Sequence, residues 1–315
     1  MFINRVAHYI PDLVIPNAHF EKLNGLTNDW ILERTGISER RRATEGENTN
    51  TMALEAVKKG IEAGLPYDIS EINLIVGGTY SPYDTVGTLA HVIQAHIQVA
   101  DIPVVSVSSA CSTLLNCMEI VEGYFAMGKA DKAIVVVSEH NSLYHNETDP
   151  MAGHLWGDGA AAFFISKEKQ SETDFNVSQI ITGGAATVGK GTEGVMLRPR
   201  DGGINMPFGK DVFINACAYM SKVTKDILEN NGYSLNDLSY LVPHQANLRI
   251  SKNITESLGL SENVALSNIE YLGNTGCAGA GIAFSEHQGE YKKGDKIVLV
   301  VFGGGYSYGA MLVEV

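Results

Sequence analysis

The residue of this sequence best placed to do chemistry is Cys111, in the stretch VSVSSACSTLLNCMEIVEGYFAMG (105–128). A β-rich run reaches Ser108 and Ser109, and apolar residues then recur at helical spacing. This pattern predicts a helix that Cys111 opens and the two serines cap. Because unpaired backbone N–H groups and the helix dipole favour negative charge there, we expect a lowered thiol pKa and a reactive thiolate. The alternative is a small buried structural residue, which is the commoner role of a free cysteine.

Three other segments carry polar or glycine-rich groups directly after predicted strands. His244 follows a strand near the start of 238–250, Asn274 stands between glycines in 270–284, and three glycines end the last strand. Each feature alone is as typical of a turn as of a site. Together, a thiol, an imidazole, an amide and free backbone N–H groups suit acyl-thioester chemistry. The thiolate would accept the acyl group, the two neutral donors would hold an enolate, and the N–H groups would hold an oxyanion.

The composition is typical of a soluble globular protein, with 315 residues of which 44% are hydrophobic and 19% charged. No run of about 18 apolar residues occurs and the N-terminal stretch lacks an apolar signal core, so we predict a cytoplasmic protein with no membrane partner. Four cysteines are too few for a disulfide framework, and no C-x-x-C pair exists for zinc, so no metal is expected.

The charge balance narrows the choice of partners. A net charge of −13 without a long basic run argues against nucleic acid. The exception is the arginine cluster in ERTGISERRR (33–42), for which two interpretations stay open. It is either a solvated charged turn or a surface for phosphate or for an acidic carrier protein.

An internal repeat indicates that the chain is duplicated. The segments 130–139 and 294–303 share an Asp-Lys pair that leads into a β-branched strand. The segments 70–80 and 235–245 share an acidic, an apolar and a polar residue before a strand. The two pairs recur at nearly the same offset, so we predict two halves with the same plan.

In both halves apolar strands alternate with helical stretches such as 49–65 and 211–232. Near-continuous apolar strands between helices predict mostly parallel sheets covered on both faces. We therefore predict an α/β protein with a five-layered α/β/α/β/α fold, built from residues 1–170 and 171–315. Because sites form beyond the carboxyl ends of such strands, the strand ends of both halves should face one site.

Seven motifs, in order along nearly the whole chain, resemble those of the β-ketoacyl-acyl carrier protein synthase III family of thiolase-like condensing enzymes. They are DWILERTGISERR, SSACST, WGDGAAAFF, PFGKDVF, PHQANLRI, GNTG and FGGGYSYGAMLVEV. The resemblance implies a thiolase-like fold and two reaction steps. These are acyl transfer to Cys111 and decarboxylative Claisen condensation with a malonyl or β-ketoacyl thioester, in fatty acid or related lipid biosynthesis. It implies acyl-coenzyme A or acyl carrier protein thioesters as substrates and no cofactor.

The resemblance also implies roles for individual residues. Cys111 is the expected nucleophile, His244 and Asn274 are expected to assist decarboxylation, and the backbone N–H groups of Cys111 and Gly304 are the expected oxyanion hole. The expected contacts to coenzyme A and its pantetheine arm are Trp30, Arg34, Gly209 and Asn247. The expected docking surface for an acyl carrier protein consists of Arg249, Lys252 and Lys210. A homodimer is expected, with the apolar strand in 102–109 buried between the subunits.

Three departures from the family pattern bear on what is condensed. Lys210 stands where the family has asparagine, and 146–160 holds no arginine near the expected adenine site. The run Gly-Cys-Ala-Gly at 276–279 replaces a usual Ser-Ala-Ala and should open the site. These changes favour a carrier-protein donor, or a bulky or functionalised acyl chain.

Three alternative functions stay open from the sequence. The first is the same chemistry in a specialised pathway of the dialkylresorcinol, polyene or polyketide type. The second is a thiolase, in which Cys277 would be the second, basic cysteine. The third is a non-catalytic scaffold subunit, which the presence of Cys111, His244 and Asn274 together disfavours.

Overall fold

The computed structural model describes all 315 residues, in which thirteen strands and ten helices form. The strands are β1 (Phe2–Tyr9), β2 (Leu13–Pro16), β3 (Glu39–Arg42), β4 (Leu74–Gly78), β5 (Val104–Val107), β6 (Lys132–His140), β7 (Asp158–Ser166), β8 (Phe175–Gly184), β9 (Met196–Arg198), β10 (Gly203–Asn205), β11 (Tyr240–Pro243), β12 (Lys296–Phe302) and β13 (Ser307–Glu314).

The helices are α1 (Ala18–Asn24), α2 (Asn28–Thr35), α3 (Thr49–Glu62), α4 (Leu89–Ile97), α5 (Thr113–Ala126), α6 (Asn141–Tyr144), α7 (Gly209–Asn230), α8 (Leu248–Ser257), α9 (Ile269–Leu272) and α10 (Gly279–Glu286). The helices predicted within 49–65 and 211–232 are α3 and α7. The Asn48 side chain fixes the start of α3, because it accepts hydrogen bonds from the backbone N–H groups of Asn50 and Thr51.

Nine strands form one sheet in the order β11-β12-β13-β8-β1-β7-β6-β4-β5. The strands β1 and β8 share only two residue pairs, Phe2 with Asn176 and Ile3 with Phe175, so the sheet consists of two smaller sheets joined at a narrow seam. The prediction of mostly parallel sheets is wrong, because β7 and β13 run antiparallel to β6 and β12. The connection between β12 and β13 is too short for a crossover helix, and a strand after so short a turn must return antiparallel.

The duplication predicted from the repeat is confirmed in the sheet. The repeat segments form β6 and β12, and each of these strands lies between a parallel neighbour, β4 or β11, and an antiparallel one, β7 or β13. A 3₁₀ turn precedes both β4 and β11, at Ile69–Glu71 and Leu235–Asp237. The predicted boundary between residues 170 and 171 falls in the connection from β7 to β8 and stays a prediction.

Three clusters of buried apolar side chains mark the layers. The central cluster lies between the two sheets and contains the facing sides of α5 and α10. The second packs α3 and α4 on the outer face of the first half, and the third packs α7 and α8 on the outer face of the second. In β6, Val135 points into the central cluster and its neighbour Val136 into the outer one. Both faces of the strand are therefore apolar, which confirms the predicted five layers.

A smaller cluster built from α1, α2 and the segment before β7 includes Phe20, Ile31 and Trp156. Two side chains of the arginine cluster, Arg40 and Arg42, are buried beside these apolar residues. Arg40 is fully buried and donates to the backbone carbonyl oxygens of Ile15 and His154, and the buried Arg42 pairs with Glu147. Two of the clustered arginines are thus part of the protein interior and do not present a surface for phosphate.

None of the helices combines the length and the apolar composition needed to cross a bilayer.

Candidate active site

Cys111 lies in the turn between β5 and α5. The helix begins at Thr113, two residues after Cys111, and its N-cap is Ser112, whose side chain makes no capping hydrogen bond. The prediction that Cys111 opens the helix and that Ser108 and Ser109 cap it is therefore wrong. The physical reason is Ala110, whose backbone is left-handed (φ 50°) and turns the chain before the helix can start.

The expected low pKa of the Cys111 thiol is also contradicted. The side chain is buried, with 8% of the residue exposed, and burial together with the nearby Glu139 carboxylate raises the thiol pKa to about 12. A hydrogen bond from the Gly304 backbone N–H acts in the opposite direction but does not outweigh burial. A thiol with this pKa is protonated at neutral pH.

His244 is the first residue after β11, and its backbone N–H donates to the Val300 carbonyl oxygen (2.8 Å), which extends the ladder to β12. Its side chain is buried, with the Nδ1 atom left without a partner. Burial lowers the imidazole pKa to about 4, so the ring is neutral at pH 7. A neutral imidazole can donate one hydrogen bond and accept another.

Asn274 is held by both its backbone and its side chain. Its backbone N–H donates to the Leu155 carbonyl oxygen (2.8 Å), and its carbonyl oxygen accepts from the Gly157 N–H (3.0 Å) and from Asn141 Nδ2 (3.1 Å). Asn274 Oδ1 accepts from the backbone N–H of Gly276 (2.9 Å). Since the side-chain oxygen is occupied by this donor, the NH₂ group is the end of the amide that remains for a ligand.

The glycine loop after β12 lies directly against Cys111. A Cβ atom at Gly303 would lie 2.5 Å from the Cys111 backbone nitrogen, so only glycine allows this approach. The next residue, Gly304, directs its N–H to the Cys111 thiol. The loop after β12 in the second half and the Cys111 turn of the first half thus meet, as the predicted position of the site requires. The prediction that the glycines end the last strand is wrong, because the chain turns there and continues as β13.

Two cavities share Cys111, Trp156, Val195 and Gly304 as lining residues. The first, of about 250 Å³, is mainly apolar and is completed by Tyr80, Ser108, Ala110, Met196, Leu197 and Ile204. The second, of about 50 Å³, is completed by Met206, Val212, Ala216, Met220, His244, Ala246, Ile250, Asn274, Phe302 and Gly303. Cys111 lies where the two cavities meet, so a group bound to its sulfur can occupy one cavity while a second molecule enters the other.

Most of the residues that line the first cavity carry no signal in the sequence. Val195, Leu197 and Ile204 belong to the segment around β9 and β10, which carries no motif. Trp156 lies in the WGDGAAAFF motif, but nothing in the motif indicates that its side chain lines both cavities. That position depends on where β7 begins in the folded protein.

Three of the predicted coenzyme A contacts, Trp30, Arg34 and Asn247, are in contact with one another. The guanidinium of Arg34 stacks on the Trp30 ring, 4.5 Å from its centroid, and the backbone carbonyl of Arg34 accepts from Asn247 Nδ2 (3.0 Å). Gly209 is the first residue of α7. None of the four lines a cavity with Cys111, although Ala246 and Ile250, on either side of Asn247 in the chain, line the second one.

The predicted docking residues lie on α7 and α8. The Arg249 guanidinium stacks over Phe213 at 5.8 Å, which connects it to the first turns of α7, where Lys210 is located. Lys252 lies 3.9 Å from Glu262, so part of its charge is compensated. The structure brings Arg249 near the Lys210 end of α7, while Lys252 is partly neutralised.

Cys277 is separated from the cavities. It is 1% exposed, lines neither cavity, and donates its S–H to Glu139 Oε1 (2.8 Å). Burial and the Glu139 carboxylate raise its pKa well above the usual value. A second basic cysteine facing the substrate, as a thiolase needs, is therefore not available.

Comparison with known proteins places these features in a family. The family model described as 3-oxoacyl-[acyl-carrier-protein (ACP)] synthase III matches residues 105–184, and the one described as its C terminal matches residues 228–315. A β-ketoacyl-[acyl-carrier-protein] synthase III from Coxiella burnetii is 31% identical over 317 residues, covering 99% of this chain and 98% of that one.

Solved structures agree over the whole chain. The crystal structure of 3-oxoacyl-[acyl-carrier-protein] synthase III from Aquifex aeolicus has a TM-score of 0.91 at 30% identity and covers 100% of this chain and 99% of that one. The β-ketoacyl-[acyl carrier protein] synthase III from Thermus thermophilus has a TM-score of 0.92 at 27% identity, with the same coverage. The predicted thiolase-like fold is thereby confirmed.

Proposed function

The chain belongs to the 3-oxoacyl-[acyl-carrier-protein] synthase III family, and we propose that Cys111, His244 and Asn274 perform its two reaction steps. It is a carbon–carbon bond-forming acyltransferase of the β-ketoacyl synthase III type, whose setting is fatty acid biosynthesis. The observation that carries the proposed roles is that these three side chains and Gly304 line one cavity. The thiolase and scaffold alternatives have no comparable support.

In the first step, Cys111 Sγ attacks the carbonyl carbon of an acyl thioester. The sulfur–carbon bond to Cys111 forms, the bond to the donor's sulfur breaks, and the donor leaves as a free thiol. His244 shares the cavity and is neutral, so it can accept the Cys111 proton and pass it to the leaving sulfur. The backbone N–H groups of Cys111 and Gly304 would stabilise the oxyanion of the tetrahedral intermediate.

In the second step, a malonyl thioester occupies the second cavity and loses CO₂. The electron pair of the broken bond moves into an enolate, whose oxygen would accept hydrogen bonds from the His244 ring and the Asn274 NH₂ group. Both donors are neutral and prepositioned, so they stabilise the developing charge without reorganisation. The enolate carbon then attacks the acyl carbonyl carbon on Cys111, the bond to Cys111 Sγ breaks, and the released thiolate takes up a proton from solvent.

The lining of the first cavity bears on the acyl group. Eight of its ten lining residues are hydrophobic, and none is ionisable as a carboxylate, ammonium or guanidinium. Burial of an unpaired charge is costly, whereas burial of CH₂ groups stabilises by about 0.8 kcal/mol each. We infer an uncharged, mainly apolar acyl group, so that among bulky and functionalised chains the charged ones are disfavoured.

This substrate class is tested by intact mass spectrometry. The protein is incubated with hexanoyl and succinyl thioesters of the same carrier protein, and the mass added at Cys111 is followed in time. We expect the hexanoyl adduct to form at least tenfold faster, and addition of malonyl-carrier protein to release a β-keto product. Faster succinylation would contradict the apolar assignment, and an adduct that never condenses would contradict the two-step reaction.

The carrier protein is proposed to dock on the α7 and α8 face. Acyl carrier proteins are acidic, so docking on a chain of net charge −13 needs a local basic surface such as Arg249 with Lys210 and Lys252. Trp30, Arg34, Gly209 and Asn247 are proposed to guide the pantetheine arm. Arg249→Glu should raise the KM for carrier-bound substrate about tenfold and leave a small pantetheine thioester unaffected, since surface charge mainly sets association. Equal losses on both substrates would contradict docking.

A homodimer is proposed through the edge of the first half. The strand β5 is the last strand of the sheet, so its outer backbone groups have no partner strand within the chain. The exposed Val86 adds an apolar contact, with 83% of its surface accessible. An open apolar edge of this kind is usually covered.

A further inference from the structure

Behind the Asn274 turn lies a buried polar pair that the two proposed steps do not use. Cys277 donates its S–H to Glu139 Oε1 (2.8 Å), and both residues are at most 1% exposed. A buried carboxylate is costly unless donors surround it. We propose that Cys277 and Glu139 are positioning residues for the condensation step, whose hydrogen bond fixes the turn that presents Asn274 to the second cavity.

Glu139 is a rigid anchor for this purpose. It is the penultimate residue of β6 and accepts four further hydrogen bonds from the segment that follows β4. The donors are Thr79 Oγ1 (3.1 Å), the Tyr80 N–H (3.2 Å), the Ser81 N–H (3.1 Å) and Ser81 Oγ. Two strand ends of the first half therefore hold the carboxylate. A side chain hydrogen-bonded to this carboxylate is therefore held at a fixed position relative to the sheet.

The Asn274 turn rests on this anchor. Gly276, whose N–H sets the orientation of the Asn274 amide, is packed so closely that a Cβ atom would lie 2.8 Å from Glu139 Cγ. Gly276 has no side chain, and the Thr275 hydroxyl has no partner, so Cys277 supplies the side-chain hydrogen bond from this turn to the carboxylate. Loss of that bond would let the turn move, and with it the NH₂ group of Asn274.

The effect should be confined to one step. Acyl transfer to Cys111 uses the thiol, His244 and the Gly304 loop, none of which is hydrogen-bonded to Cys277. Decarboxylation uses the Asn274 amide, and small displacements of such a donor can reduce the rate up to about 100-fold. The inference rests on the role proposed above for Asn274, so the experiment measures the two steps separately.

The primary test compares Cys277→Ala with Cys277→Ser. Acylation of Cys111 is measured by intact mass, and condensation by product release after malonyl-carrier protein is added. We expect Cys277→Ala to acylate at the wild-type rate and condense 10- to 100-fold more slowly, and Cys277→Ser, which keeps a donor, to restore most of the condensation rate. Cys117→Ala is the matched control, since Cys117 is also fully buried but does not bind Glu139.

Several outcomes would overturn the inference. Unchanged condensation in Cys277→Ala, an equal loss of both steps, or a loss in Cys117→Ala of the same size would each show that the thiol only fills space. Asn274→Ala is included as a reference. If it condenses normally, the proposed function of Asn274 fails, whereas if it is inactive and Cys277→Ala is normal, only the present inference fails.

Glu139→Gln gives a second readout that does not depend on the folding of the Cys277 variants. Burial raises the pKa of Glu139 to about 7, and the facing groups Tyr80, Cys111 and Cys277 have raised pKa values and stay neutral. Protonation below this pH turns one carboxylate oxygen into an O–H donor and weakens the hydrogen bond from the Cys277 S–H. The condensation rate, measured in a single turnover from preformed acyl enzyme, should therefore rise with pH through about 7 in the wild type and be flat in Glu139→Gln. The same slope in both proteins would overturn the inference.

Discussion

The two central helices of the protein start with the same local structure and different neighbours. Cys111 lies two residues before α5, Cys277 lies two residues before α10, and each follows a residue with left-handed backbone, Ala110 at φ 50° and Gly276 at φ 59°. Cys111 lines both cavities, whereas Cys277 lines neither and donates to Glu139. The difference shows that the surroundings of the turn, and not the turn itself, decide which thiol meets substrate.

Backbone strain also separates the two turns. Left-handed backbone costs a non-glycine residue roughly 1–2 kcal/mol, and glycine almost nothing. The turn with the proposed nucleophile carries that cost at Ala110, and the buried turn avoids it at Gly276. Strain retained at a functional position and relieved elsewhere is a common pattern in enzymes.

The largest expected effect is on acyl-enzyme formation. Cys111→Ala should abolish the acyl adduct seen by intact mass spectrometry, because the attacking sulfur is gone. Cys277→Ala should retain it, since its sulfur does not reach a cavity. An adduct of normal size on the Cys111→Ala protein, or its loss in Cys277→Ala, would reverse the roles assigned to the two turns.

The next effect concerns the donors that only the Cys111 cavity contains. Both His244→Ala and Asn274→Ala should still form the acyl enzyme, and Asn274→Ala should do so at the normal rate. In both variants the condensation rate should fall by about 10²–10³-fold, the usual effect of removing one prepositioned donor. Stopped-time measurement of the β-keto product checks this. Wild-type condensation in either variant would show that the residue holds no enolate.

Thiol reactivity distinguishes the two cysteines without any substrate. Burial raises the Cys111 pKa to about 12, so the thiolate fraction should increase about tenfold per pH unit across pH 7–9. Iodoacetamide labelling of Cys111, followed by peptide mass mapping, should accelerate about 100-fold over that range, while Cys277 stays unlabelled. A rate that levels off near pH 7 would show a thiol with a lowered pKa.

The smallest effect is on stability. Ala110→Gly should raise the free energy of unfolding by about 0.5–1 kcal/mol, because relief of left-handed strain exceeds the added entropy of the unfolded chain. Gly276→Ala should lower it, since the new Cβ atom would collide with Glu139. Urea denaturation measures the free energy of unfolding of both variants. If the two substitutions changed it in the same direction, the contrast in strain between the two turns would be wrong.

The sequence indicated which residue types form the candidate site, but it did not indicate their protonation states. Cys111 and His244 each follow a predicted strand end, and such ends converge in a layered α/β protein. The predicted strand before Asn274 is wrong, because the short helix α9 precedes this residue. The protonation state of Cys111 was predicted wrongly, because helix proximity can be read from spacing but burial and the charge of Glu139 cannot. Glu139 itself lies 28 residues further along the chain, at the end of another strand.

By itself, the sequence determined the layered fold, its duplication and the choice of Cys111, His244 and Asn274 as the proposed reacting groups, because these follow from local periodicity and from short motifs. Tertiary structure decided the rest. It set the direction of β7 and β13, the walls that Trp156, Val195 and Ile204 give to the first cavity, and the separation of Cys111 from Cys277. These properties depend on contacts between segments far apart in the chain, and burial and electrostatic interactions act through space rather than along it.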